Sequence, residues 1–152
     1  MHPALQALVV ILVGVGGCVG YFYASNLILD KPGRLTVDEV KAMQLHVDHT
    51  RRILRLVPCF NGFADVAAAH HEKLDGSGYL LGLTADELST EARVLCVADI
   101  FDALSAKRPY RPRQLPLDEV LKIMAAEAGP KICPMAFEAL CAHLKHSPSR
   151  EL

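Results

Sequence analysis

The sequence predicts an all-α domain. Start and stop signals bound five helical stretches, the longest with apolar residues at roughly helical spacing, and no apolar/polar alternation runs long enough to build a sheet. At 152 residues, 51% of them hydrophobic, the chain is large enough to bury a core as a single unit.

The first element is an apolar run. Residues 4–23 carry no charge, and Gln6 is the one strongly polar side chain among them. A helix of that length spans about 30 Å, the thickness of a bilayer core. Lys31, Arg34 and Lys41 follow the run and no Lys or Arg precedes it. The positive-inside rule then leaves the rest of the chain in the cytoplasm, anchored to the inner membrane. The other reading is a buried core helix; Gly14, Gly16, Gly17 and Gly20 oppose it, each costing about 1 kcal/mol relative to alanine.

Lys31-Pro32-Gly33 forms a turn, after which Thr36 and Glu39 make a capping box. Val37, Val40, Met43, Val47, Ile53, Leu54 and Val57 continue a helix up to Pro58, with His46 near its middle. Asn61 caps a predicted alanine-rich second helix through residues 64–71, which gives way to the loop Asp75-Gly76-Ser77-Gly78. Residues 90–104 read as a third, strongly apolar helix with Asp99 and Asp102 three apart on one face. Burying unpaired carboxylates is costly, so the apolar surroundings of that pair call for a metal or hydrogen-bond partner. Pro109 and Pro112 break the chain, Pro116 opens a fourth helix that stops at Gly129-Pro130, and Pro134 opens a short fifth ending near His143. Residues 146–152 read as a flexible tail.

Sixteen basic and seventeen acidic residues leave a net charge of −1, which excludes a broad footprint for polymeric nucleic acid but not a small anionic ligand held by a few cations. Cys18, Cys59, Cys96, Cys133 and Cys141 lie far apart with no CxxC pair, so a zinc ribbon, a redox motif and a disulfide framework are excluded. The thiols read as reduced and mostly buried.

The residues that carry chemistry begin with His70-His71-Glu72, two adjacent imidazoles able to address a metal centre from two sides. A lone histidine such as His46 is more often a surface or satisfied core residue. Its company changes that reading. His46, His70-His71, Asp75-Gly76-Ser77-Gly78-Tyr79, Asp99-Ile100-Phe101-Asp102-Ala103-Leu104 and Arg108-Pro109-Tyr110-Arg111 occur in one order, and the set resembles the HD-GYP family from about residue 26 to about residue 140.

The resemblance implies an HD-domain-like helical bundle, incomplete at its N-terminus, that occupies residues 24–145 behind the apolar segment 1–23. It implies a metal-dependent phosphohydrolase acting on cyclic di-GMP or a related nucleotide. His46, His70, His71 and Asp99 would ligate a divalent metal, iron or manganese, to which nitrogen and oxygen donors are suited. Tyr79, Arg108 and Arg111 would face the nucleotide, since a guanidinium holds a phosphate through two parallel hydrogen bonds. Asp102 and Glu72 would support the ligands from behind, although for Glu72 the residues alone leave a plain helix-end charge equally open. Signalling-protein partners are also implied.

Two departures qualify the expected activity. Counting back from Lys31-Pro32-Gly33, the family's His-Asp dyad and nearby lysine fall on Gly17, Cys18 and Tyr21, none of which can ligate or charge-stabilise as those residues do. Three imidazoles and Asp99 suffice for one ion, but a bridged pair lacks its bridging carboxylate. Impaired hydrolysis is therefore expected. A non-catalytic nucleotide-sensing or scaffold module, or a truncated gene product, are the alternatives. Second, Leu80 stands where the family's tyrosine is followed by proline, which frees the backbone at that turn.

Overall fold

The computed structural model describes residues 31, 33–107 and 113–146. The apolar run 4–23, residues 17, 18 and 21, the segment with Arg108 and Arg111, and residues 147–152 of the tail lie outside them. Five α-helices are present among the described residues: α1 (Val37–Leu56), α2 (Ala64–Ala68), α3 (Thr90–Ser105), α4 (Leu117–Glu127) and α5 (Pro134–His146). No β-strand occurs among those residues, and none of these helices is long and apolar enough to cross a membrane.

The start of α1 follows its sequence signal. The Glu39 backbone N–H donates to the Thr36 hydroxyl at 3.3 Å, and the Thr36 N–H donates to the Glu39 carboxylate at 2.7 Å. A cap of this kind stabilises a helix by about 1 kcal/mol. Lys31 adds an ion pair to Glu39 at 2.7 Å. The helix ends before Pro58 because the residue preceding a proline is pushed out of the helical region, and Val57 sits at φ −106°, ψ 107°.

The second predicted helix needs correction. Pro58 starts a 3-10 turn (Pro58–Phe63), and α2 covers only Ala64–Ala68. Asn61 lies inside that turn and supplies its backbone carbonyl to the Ala64 N–H, with no side-chain cap on α2. Proline's fixed φ and absent N–H favour a tight turn here over an extended helical entry. His70 and His71 thus lie in the turn after α2 rather than on it.

A second 3-10 turn (Ala85–Glu87), bounded by Thr84 and Glu87 as its own capping box, precedes α3. Ser89 caps α3 by accepting from the Ala92 N–H at 3.2 Å. The Arg93 guanidinium ties this entry down by donating to the carbonyls of Leu88 and Ala85. α4 opens at Pro116 as expected, Gly129 at φ 97° follows its end, and α5 runs past His143 to His146.

Three apolar clusters hold these pieces. Leu54 of α1 packs with Ala64 and Ala67 of α2. Cys96 and Val97 of α3 pack with Val120 and Met124 of α4 and with Ile132, and Phe137 and Leu140 of α5 lie against them. Ala69, Leu88 and Ala92 form the third cluster, between the turn after α2 and the start of α3. Small residues line the α1–α2 contact: Ala64 is 0% and Ala67 3% exposed. Of the four cysteines described, all free, Cys96 and Cys133 are buried and Cys141 partly so. Cys59 is exposed.

Candidate metal centre

His46 projects from the middle of α1 and His70 and His71 from the turn after α2, and the fold brings the three rings together. One ligand atom from each lies within 4.8 Å of the others. Ring centroids are 5.5 Å apart for His46 and His70, 5.1 Å for His46 and His71, and 4.0 Å for His70 and His71.

The backbone decides which nitrogen each ring presents. Nδ1 of His46 lies 2.6 Å from the carbonyl oxygen of Met43, and Nδ1 of His70 lies 2.6 Å from that of Ala67. A carbonyl only accepts, so each Nδ1 carries the proton and donates it, leaving both Nε2 atoms as lone-pair donors. Those two Nε2 atoms face each other at 3.3 Å. Two lone pairs this close repel unless a proton or a cation sits with them. Backbone-fixed tautomers with Nε2 turned inward are the usual arrangement of metal-binding histidines.

Burial keeps the cluster neutral, the form that ligates. It is the largest cause pushing His46 and His70 below the ordinary imidazole pKa, and it takes His71 down to about 2, helped by His70 and His46 beside it. Asp99 of α3 stands beside the three, its Oδ2 3.4 Å from Nδ1 of His71. Three neutral imidazoles whose ligand atoms lie this close together suit a single divalent ion.

Tyr79 lies against His71. The rings stack with centroids 4.6 Å apart and 29° between planes. Burial, then the Asp99 charge, raises the phenol pKa well above its ordinary value, so the hydroxyl stays protonated. Asp102 does not share this setting. It is exposed on α3 while Asp99 is half-buried, because a three-residue step leaves the two side chains about 60° apart around the helix.

Glu72 is 1% exposed and faces away from the imidazoles, into the following loop. Its Oε1 accepts from the N–H of Leu81 at 2.8 Å and of Gly82 at 3.3 Å, and its Oε2 accepts from the N–H of Leu83 at 3.0 Å. Gly78 lies against the backbone of residues 71–73, so close that a Cβ on it would stand 2.6 Å from the His71 oxygen and 2.7 Å from the Lys73 nitrogen. The sequence reading missed this contact and the carbonyls of Met43 and Ala67. The glycine in Asp-Gly-Ser-Gly-Tyr was a usable signal for the first; backbone carbonyls leave none for the second.

A family model for the HD domain matches residues 23–134. A 3'3'-cGAMP-specific phosphodiesterase of Vibrio cholerae is 48% identical over 122 residues, which is 80% of this chain and 26% of that protein. A cyclic di-GMP phosphodiesterase response regulator of Xanthomonas campestris is 38% identical over 80% of this chain and 32% of its own length. A cyclic di-GMP phosphodiesterase of Thermotoga maritima is 36% identical over 80% of this chain and 33% of its own length. The chain spans between a quarter and a third of these relatives. It belongs to the HD domain family, and the motifs it carries are those of the HD-GYP type.

Proposed function

We propose that the chain is an HD-GYP-type metal-dependent phosphohydrolase domain that takes a cyclic dinucleotide and turns it over poorly. The observation that carries the reading is the facing pair of Nε2 atoms of His46 and His70 at 3.3 Å, with His71 and Asp99 alongside. His46, His70, His71 and Asp99 hold one divalent ion, iron or manganese. When bound, such an ion supplies positive charge to phosphate oxygens and makes water a better nucleophile.

The chain's own groups do the rest. Tyr79 keeps its proton and donates a hydrogen bond to an anionic phosphate. Arg108 and Arg111 carry planar guanidinium groups suited to the same phosphates. Asp99 holds negative charge beside His71. The relatives named for cyclic di-GMP and 3'3'-cGAMP support a cyclic dinucleotide as ligand.

Slow turnover follows from the residues at the dyad positions. Gly17, Cys18 and Tyr21 stand where the family places a metal-binding histidine, its bridging aspartate and a phosphate-facing lysine, and the family match begins only at residue 23. The same observation favours a second reading, a module that binds nucleotide and signalling partners without chemistry. The uncharged run 4–23 supports membrane anchoring, which carbonate extraction of membranes from cells expressing the full chain would check.

The functional test is calorimetry of the manganese- or iron-loaded full chain with cyclic di-GMP and 3'3'-cGAMP, paired with chromatography for linear dinucleotide or GMP. Binding, with turnover at least about a hundredfold below intact relatives, is expected. Turnover at their rate removes the claim of impairment. Saturable binding with no product selects the non-catalytic module, and no binding of either nucleotide sinks both readings.

A further inference from the structure

Among the described residues, Glu72 is the one charged side chain that is buried. A buried carboxylate is costly unless it is hydrogen-bonded, and this one gathers three successive backbone amides, those of Leu81, Gly82 and Leu83. Its own backbone is fixed as well. The Glu72 N–H donates to the Ala69 carbonyl at 3.0 Å, and its carbonyl accepts from the buried thiol of Cys96 on α3 at 3.4 Å.

Tyr79 lies between two attachments to the same short stretch of chain. On its N-terminal side Gly78 presses on the backbone of residues 71–73, and the Tyr79 N–H donates to the His71 carbonyl at 3.4 Å. On its C-terminal side stands Leu80 at φ 108°, a backbone angle that a leucine adopts only under constraint. The Glu72 carboxylate takes the three amides immediately after it.

We propose that Glu72 is a positioning residue: by binding the amides of Leu81, Gly82 and Leu83 it holds the strained turn at Leu80 and so sets the Tyr79 ring on His71, linking the 79–83 loop to the imidazole cluster. The Glu72 carboxylate is directed at the loop amides and not at the imidazole rings; it acts through Tyr79. The consequence for nucleotide affinity rests on the function proposed above. The mechanical link does not.

The test uses the full chain as wild type and as Glu72→Gln, which keeps the side-chain volume and loses the anionic acceptor. Amide exchange and the nuclear Overhauser contact between the Tyr79 and His71 rings are read without added ligand. The expected result is exchange at residues 81–83 faster by at least about tenfold, unchanged exchange in α4 and α5, and loss of the Tyr79–His71 contact. Unchanged exchange at 81–83 with the ring contact intact overturns the proposal, as does equal acceleration throughout the domain. The Glu72→Gln, Leu80→Gly variant is the second check, because glycine takes φ 108° without strain. The ring contact should return in it. Its absence there, or a domain unfolded even with glycine at residue 80, also overturns the link.

A separate arm measures cyclic di-GMP affinity of the manganese-loaded proteins. Glu72→Gln should weaken it at least about tenfold at unchanged manganese content, with no further loss when combined with Tyr79→Ala. If the wild type binds no cyclic dinucleotide, the functional reading fails and the exchange and ring-contact results alone decide the link.

Discussion

Nε2 of His46 and Nε2 of His70 face each other at 3.3 Å, each on a ring whose Nδ1 proton is committed to a carbonyl three residues earlier in the chain. Neither ring can relieve the opposition by changing tautomer without giving up its backbone hydrogen bond. A cation between them resolves it. The full chain purified with manganese in the buffer should therefore retain about one ion, and the His70→Ala, His71→Ala variant essentially none, by elemental analysis. Equal metal content in both proteins would show that these rings are not the ligands.

Acid should weaken both the fold and the cluster. The folded-state pKa values of His46, His70 and His71 are all depressed, chiefly by burial, from an unfolded value of about 6.5. Below that value the unfolded chain binds protons that the folded chain does not. The histidines' contribution to stability is thus fully present above about pH 6.5 and is lost progressively as pH falls toward the depressed values. Thermal melts of metal-free protein should show a falling midpoint between about pH 7 and pH 5, together with weaker metal retention. A midpoint that is flat or rises over that range would contradict the burial of these rings.

Gly78 has no room for a side chain. Alanine there would drive a methyl group into the backbone of residues 71–73, which cannot yield as a flexible side chain would. Gly78→Ala should cost about 2–4 kcal/mol in denaturant unfolding. A loss under about 0.5 kcal/mol would mean that the loop does not lie against the histidine turn.

Leu80→Pro would install the residue that the HD-GYP pattern carries at this position, yet it should destabilise this chain. Proline is confined to φ near −65°, far from the 108° observed. A loss of about 2 kcal/mol or more is expected, with faster amide exchange at residues 81–83. A stabilised variant would show that leucine is not held at this angle.

Legibility in the sequence followed the range of the interaction. The capping box of Thr36 and Glu39 is local, and α1 begins where that pair placed it. The imidazole cluster was legible because the residue types and their order carried it, although His46 and His70 are 24 positions apart. The short α2 was not, since a 3-10 turn opened by Pro58 absorbed residues expected to lead into a longer helix. Asp102 was grouped with Asp99 by spacing, whereas a 60° rotation separates a half-buried position from a solvent-facing one. The partners of Glu72 are backbone amides, which every residue but proline possesses, so no side chain announced them.

The alanines between α1 and α2 act as a gauge for the imidazole cluster. His46 rides on one helix, and His70 and His71 follow directly from the other. The gap between the two groups is therefore set by how closely the helices approach at Ala64 and Ala67, where no side chain larger than a methyl group intervenes on α2. A valine or leucine at either position would act as a shim. It would widen the spacing between His46 and the His70–His71 pair without removing any of the three residues, so drift at two chemically inert positions would detune the centre as effectively as loss of a histidine.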